Sequence, residues 1–355
     1  MKKVPWFSPL ILFAVTTIQC KDSTRIEMKN EWMLLNVDAP KEIYGGAVDS
    51  KGIFYLSGGN EIWSLENGLS KQVYFDKIKL HEMWVSSNDV AWAVASWSDF
   101  DEIAGPLVRC EDAECKETTR FPSTPLEGIV GSSDGSIYMC GSSEEEGVAY
   151  GVVLRSINGT TSETVYKEKN VWFTDIWYHD DSDTLISVGQ SLRTATDFGK
   201  IIQKDTNDQW QDITYRPDEY VYVAISGINE TEIYIVGRAA EQGRWESGEL
   251  PLSILLRWDG MKFKEVLNFP NDYLWTVWAL DSKHIYIGGA EWIRDEKGTL
   301  KVVSTKIYRW DQKKLEKWQY EGSTLDSAVT GFAFDQKNKI LYAYTNNSEI
   351  LRTVD

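Results

Sequence analysis

The stretch YLWTVWALDSKHIYIGGA, Tyr273 to Ala290, decides how this chain is read. Two runs of large apolar residues flank a polar knot, Asp281-Ser282-Lys283-His284, and the second run ends in glycine. Alternating apolar residues around a short polar turn describe two antiparallel strands with a tight connection. YVYVAISGINETEIYIVGR, Tyr220 to Arg238, is a close paraphrase. The same skeleton recurs in IYGGAVDSKGIFYLSGG, EMWVSSNDVAWAVAS, EGIVGSSDGSIYMCGS, FTDIWYHDDSDTLISVGQ and TGFAFDQKNKILYAYTN. Aligned where the second run ends, the seven copies mark Gly58, Ala95, Gly141, Gly189, Gly237, Gly289 and Thr345, spaced by 37, 46, 48, 48, 52 and 56 residues. Such a period is the mark of a repeat architecture.

Each copy has a second half, another strand pair: EIWSLENGLSKQVYF, LVRCEDAECKETTRF, GVVLRSINGTTSETVY, KIIQKDTNDQWQDITY, ILLRWDGMKFKEVLNF and KIYRWDQKKLEKWQY. Turn residues sit mid-hairpin, as in Asn158-Gly159 and Asp259-Gly260. One repeat is therefore four short antiparallel strands, named A to D from the axis outwards, which is the content of a propeller blade. The seventh copy stops at SEILRTVD, with strand C and no room for D. NEWMLLNVD, Asn30 to Asp38, precedes the first A strand and supplies what is missing, so the ring is expected to close without exposed edges.

From Asn30 to Asp355 the sequence resembles the seven-bladed β-propeller superfamily. More narrowly it is similar to the degenerate-repeat propellers of bacterial secreted proteins and lipoproteins. The resemblance implies an all-β ring of four-stranded antiparallel blades, closed by an N-terminal strand that completes the last blade. RWDG at Arg257 and RWDQ at Arg309 are similar to the Trp-Asp of WD40 blades, but only these two blades carry it and the partnering Gly-His pair is missing. Composition agrees with strand: 16 Trp, 17 Tyr and 12 Phe, and 42% hydrophobic residues overall. A formal net charge of -17 repels phosphate backbones and argues against nucleic acid as a partner.

The first residues, MKKVPWFSPLILFAVTTIQC, have a basic start at Lys2 and Lys3 and an apolar run from Val4 to Ile18, too short to span a bilayer comfortably. TTIQC resembles the lipobox of bacterial lipoproteins, with Gln19 where a small residue is usual. The resemblance implies lipidation at Cys20. Residues 1–19 then form a signal peptide, 20–29 a tether and 30–355 the propeller. The protein is expected in the bacterial cell envelope, lipid-anchored to a membrane, with the outer membrane or cell surface favoured. Export permits disulfides. Cys110 and Cys115 would face each other across a four-residue turn and are a candidate pair, and Cys140 reads as a buried inert thiol.

In a propeller the B–C and D–A connections surround one mouth of the central channel, and the A–B and C–D turns emerge on the other face. Here the B–C inserts are the long ones: Trp97 to Pro106, Ser142 to Ala149, Gln190 to Gly199, Arg238 to Leu252 and Ala290 to Ser304. Long inserts on one face of a rigid scaffold mark the functional face. Blades 2 and 3 offer Asp99, Asp101, Glu102, Glu144, Glu145 and Glu146. Blades 4 to 6 offer Arg193, Arg238, Arg244 and Arg294 beside Trp245 and Trp292. An arginine-and-tryptophan half opposite an acidic half suits a polar ligand, sugar or peptide, although solvated inserts are commonly charged in any case.

The function expected is a non-catalytic binding or scaffolding propeller, a monomer that holds a protein or glycan partner of the envelope at this face. The alternative is a glycosidase or lyase acting on a glycan, with sialidase-like arginines. The Asp-boxes of sialidases are missing, and Asp175 in FTDIWY is the one carboxylate expected near the channel. No catalytic residue is assigned. The three histidines, His81, His179 and His284, stand in different blades without ligand spacing. HDDSDT at His179 lacks the length and glycine of a calcium loop. No metal or cofactor is expected.

Overall fold

The structure is a computed structural model that describes residues 32–98, 104–192, 198–240, 251–295, 299–318 and 327–353. Every regular element among them is a strand, and the strands form seven four-stranded antiparallel sheets. The inner strands are Gly45–Val48, Ile78–Val85, Leu126–Gly131, Val171–His179, Tyr220–Asn229, Asp272–Asp281 and Val329–Asp335. In blades 1 to 6 the four strands follow one another in chain order. Blade 7 is composite: Trp32–Leu35 pairs with Ile350–Thr353, in the register Trp32 to Thr353 and Leu35 to Ile350. The ring is closed by the first described strand of the chain.

Seven apolar clusters hold the ring together, one at each boundary between neighbouring blades. Strand alternation sends side chains to both faces of each sheet, so every blade contributes to two clusters and none has a core of its own. At the closing boundary Trp32 is buried with Trp318, ring centroids 5.2 Å apart, alongside Tyr286, Phe332 and Leu351.

Four of the seven alignment marks, Gly58, Gly141, Gly189 and Gly289, lie against a backbone carbonyl at the start of the inner strand. Each inner strand of blades 2 to 7 carries a β-bulge near its start, as between Leu126 and Gly128 or Phe173 and Asp175. The bulge pushes the preceding carbonyl onto strand B. A Cβ on Gly141 would lie 2.1 Å from the Pro125 oxygen, and one on Gly289 would lie 2.3 Å from that of Tyr273. Glycine is required there by close approach.

The bulge also aims a side chain at the next blade. His81 Nδ1 lies 2.9 Å from the Glu127 carbonyl; the Thr174 hydroxyl donates to the Tyr222 carbonyl (3.0 Å) and that of Thr330 to the Ile43 carbonyl (2.6 Å). These bonds satisfy backbone groups on inner edges that have no strand partner. On the other face, Ser50 and Ser133 reach across to Asp89 and Asp180 of the next blade. The sulfurs of Cys110 and Cys115 are joined at 1.98 Å across the outer hairpin of blade 2, strands Ala104–Glu111 and Glu114–Pro122. Cys140 is fully buried, and burial pushes its thiol well above the usual range.

Two of the expected inserts are regular structure. Ser142 to Ala149 is a prolongation of the blade 3 hairpin, with strands Ser136–Glu145 and Val148–Ile157 turning at Glu146-Gly147, both at positive φ. The greater part of Ala290 to Ser304 extends blade 6 in the same way, through His284–Arg294 and Leu300–Trp310. The sequence reads as irregular there because these outer ends lie beyond the blade's core and lose the apolar alternation that marks a half-buried strand.

Candidate functional site

A cavity of about 370 Å³ runs along the axis. Its lining is set by the inner strands, and the bulge position decides what each blade presents at the mouth. Read around the ring, the residue after the buried apolar one is Tyr44, His81, Glu127, Thr174, Val223, Trp275 and Thr330. His81, Thr174 and Thr330 are spent on the neighbouring blade. Glu127 is 7% exposed, with Oε2 3.3 Å from His81 Nε2. Tyr44 stacks on His81 at 5.4 Å and donates to Glu42 at 3.1 Å; burial and that carboxylate push its phenol up to about 12.

Trp275 is the exception. It is 38% exposed and forms one wall of a corner with Tyr273, ring centroids 5.3 Å apart and planes inclined at 61°. The Arg238 guanidinium sits in that corner, 4.1 Å from the Tyr273 ring and 4.6 Å from the Trp275 ring. Two ring faces hold the planar fork by cation–π attraction and fix its direction, which a lysine could not reproduce. Trp292 packs on the far side of Tyr273 at 5.8 Å.

Of the six ligand candidates, Arg238 and Trp292 are therefore joined through Tyr273 into one cluster of blades 5 and 6. Arg294 is the last residue of the strand that carries Trp292. Arg193, Arg244 and Trp245 lie outside the described residues, as do Cys20 and three of the acidic candidates, Asp99, Asp101 and Glu102. In blade 3, Glu145 pairs with Lys167 on its own outer hairpin. Glu127 lines the axial cavity beside His81, and Glu42 is bonded to Tyr44. Sequence reasoning passed over Tyr273, Trp275, Tyr44 and Glu127. The signal that would have found them was the repeat register, since one aligned column holds Trp275 where other blades hold a threonine or histidine.

Below the mouth lie two half-buried carboxylates, Asp175 and Glu82, both lining the axial cavity. Glu82 Oε2 accepts the Ile129 N–H at 3.0 Å, and Asp175 Oδ2 accepts the Ile225 N–H at 2.8 Å, each reaching from its blade to the next. Burial pushes the Asp175 carboxyl up to about 7, against the pull of its backbone donors. Burial, then the Asp175 charge, raises Glu82 well above the ordinary range. Among the described residues no group of His, Cys, Asp and Glu is arranged to hold a metal ion. Within HDDSDT, Asp180 is taken by Ser133 and Asp183 by Lys204 and Tyr178.

A streptogramin B lyase structure superposes with a TM-score of 0.63 at 14% identity, covering 91% of this chain and 97% of the lyase. The virginiamycin B lyase of Staphylococcus aureus gives 0.65 at 15%, covering 92% and 99%. YCF48 bound to D1 peptide gives 0.62 at 9%, covering 92% and 98%. This chain is a seven-bladed propeller. At such identities the likeness is one of fold, and propellers host unrelated functions. No family model and no curated protein matches the chain.

Proposed function

We propose that this propeller is a non-catalytic binding protein that holds a protein or glycan partner at the channel mouth. The observation that carries the reading is the Arg238 guanidinium fixed by Tyr273 and by Trp275, whose exposed indole lines the axial cavity. A fixed positive charge beside an exposed indole offers electrostatic attraction and a stacking surface, the pair of contacts that recognise a carboxylate-bearing peptide or glycan. YCF48, of the same fold, is bound to a peptide, which supports a binding role for the architecture. Arg238→Ala and Trp275→Ala are each expected to weaken the partner at least tenfold on peptide and glycan arrays and to leave the melting temperature within a few degrees. Array binding that both variants retain would sink the site.

The second reading, hydrolysis or elimination on a glycan, draws on the raised Asp175 and Glu82 carboxyls and on the lyases among the neighbours. Against it, each carboxylate gives an oxygen to a backbone N–H of the next blade, so they act as rivets rather than as acid and base towards a ligand.

The envelope location belongs to the same proposal. A chain lipidated at Cys20 would sit on a membrane with its propeller tethered by residues 20–29. Cys20→Ser is expected to leave the protein soluble or unprocessed and to abolish incorporation of labelled palmitate. Label entering the variant as it enters the parent would exclude Cys20 as the lipid site.

A further inference from the structure

We propose a second ligand site, for a neutral sugar, on the face opposite the channel mouth, in the groove between blades 2 and 3. A cavity of about 400 Å³ lies there, within the size range of small-molecule sites. Its walls include Trp84, Trp92, Arg109 and Ser87 of blade 2, with Ser132 and Asn158 of blade 3. Trp84 also lines the axial cavity, so its indole is the partition between the two.

The ring repeat supplies an internal control. Trp177 occupies in blade 4 the position of Trp84 in blade 2. It lies over Gly227 of the next blade as Trp84 lies over Gly131. Trp177 Nε1 donates to the Gly227 carbonyl at 3.2 Å, and that boundary is sealed. Trp84 makes no such bond. Neither its Nε1 nor that of Trp92 has a hydrogen-bond partner among the described residues, and neither atom is fully buried. The Asn158 carboxamide and the Ser87 hydroxyl likewise bond to no described residue. Four polar groups without a partner among the described residues thus gather around one cavity, from the half-buried Trp84 and the buried Trp92 in its wall to Asn158 and Ser87 on exposed turns.

Glycines maintain the arrangement. A Cβ on Gly131 would come within 2.3 Å of the Trp84 ring, and one on Gly159, at φ +71°, within 2.5 Å of the Trp92 ring. The turns of blade 3 therefore let both indoles lie against its backbone.

The chemistry selects the ligand class. Indole surface packs against the C–H faces of a pyranose, and unpartnered N–H, amide and hydroxyl groups match its ring of hydroxyls. The one cation of the site, Arg109, is already paired with Glu111 at 2.8 Å. Asp134 stands beside Ser132, and the chain as a whole is strongly acidic. An anionic sugar or a phosphate meets repulsion there, and a neutral one does not.

The test is titration of the purified protein with glucose, N-acetylglucosamine, cellobiose and chitobiose, and with glucuronate as the charged control, read by calorimetry and tryptophan fluorescence. Saturable binding of at least one neutral sugar is expected, with glucuronate at least tenfold weaker in Arg238→Ala, where the channel mouth no longer offers its cation. Ser87→Trp fills the groove from an exposed position, and Asn158→Gly removes the carboxamide while keeping a residue suited to φ +50°. Both are expected to weaken the sugar tenfold or more with melting temperatures close to the parent, and Arg238→Ala to leave it unchanged. The proposal is overturned if no neutral sugar saturates, if glucuronate binds Arg238→Ala as well as the neutral sugar does, or if Ser87→Trp or Asn158→Gly, folded, binds like the parent. Loss of sugar binding in Arg238→Ala instead would move the ligand to the channel mouth and overturn it equally.

Discussion

A chain that begins at residue 39 is expected to aggregate or to melt far below the intact protein, whereas one that begins at residue 30 should melt with it. The difference is the closing strand, Trp32–Leu35. Without it, Ile350–Thr353 becomes an unpaired edge, the liability that closed rings avoid. Trp32, 6% exposed, leaves the boundary of blades 6 and 7, and Leu35, Val37 and Ala39 pack at the boundary of blades 7 and 1. Each large side chain returned to water costs on the order of 1.5–3 kcal/mol, so losing Trp32, Leu35 and Val37 rivals the ~5–15 kcal/mol of a typical domain's net stability. Trp32→Ala alone should cost about 3–5 kcal/mol, since no neighbour can fill the space beside Trp318. Thermal unfolding followed by circular dichroism separates the cases. Equal melting of the two truncations would mean that the strand does not close the ring.

Raising the pH from 5 to 8.5 should destabilise the parent relative to Glu82→Gln and to Asp175→Asn. In the unfolded chain these carboxyls ionise near pH 4, but in the ring Asp175 holds its proton up to about 7 and Glu82 is raised as well. The sign follows from linkage. With folded values above unfolded ones, the pair's contribution is fully present below about pH 4 and is lost as pH rises through about 7. One unit is about 1.4 kcal/mol, so Asp175 alone places the loss between pH 5 and 7 on the order of 3 kcal/mol. Glu82→Gln keeps an acceptor for the Ile129 N–H and removes one of the two charges. Its melting temperature should therefore fall less than the parent's across this window. Surface carboxylates held low by hydrogen bonds, such as Asp89 and Asp134, are common to both proteins and cancel in the difference. Parallel curves would show that the two carboxyls ionise freely in the folded ring.

Blade number, strand order within a blade and the composite seventh blade were legible in the sequence, because each rests on local alternation and on turns a few residues long. The glycine marks were legible too, though their cause, a bulged carbonyl pressing on strand B, was not. The site was half legible. Arg238 and Trp292 stood out as charged and aromatic residues next to inserts. Tyr273 and Trp275 hid inside a strand that reads as core, since alternation does not say which inner-edge residue meets the channel. Asp175 was expected near the channel, and its partner Glu82 was not recognised at all.

What the sequence determined by itself was therefore the period: seven copies of a four-stranded unit and a spare strand to close them. Only the tertiary structure decided what meets across a boundary. Glu82 reaches Ile129, Asp175 reaches Ile225 and Arg238 comes to rest over Tyr273 and Trp275 because bulges and blade twist carry these side chains onto the neighbouring sheet. The first two contacts span 47 and 50 residues of chain. Local periodicity has no term for such a distance; burial against the next blade sets it, and that exists only once the ring has closed.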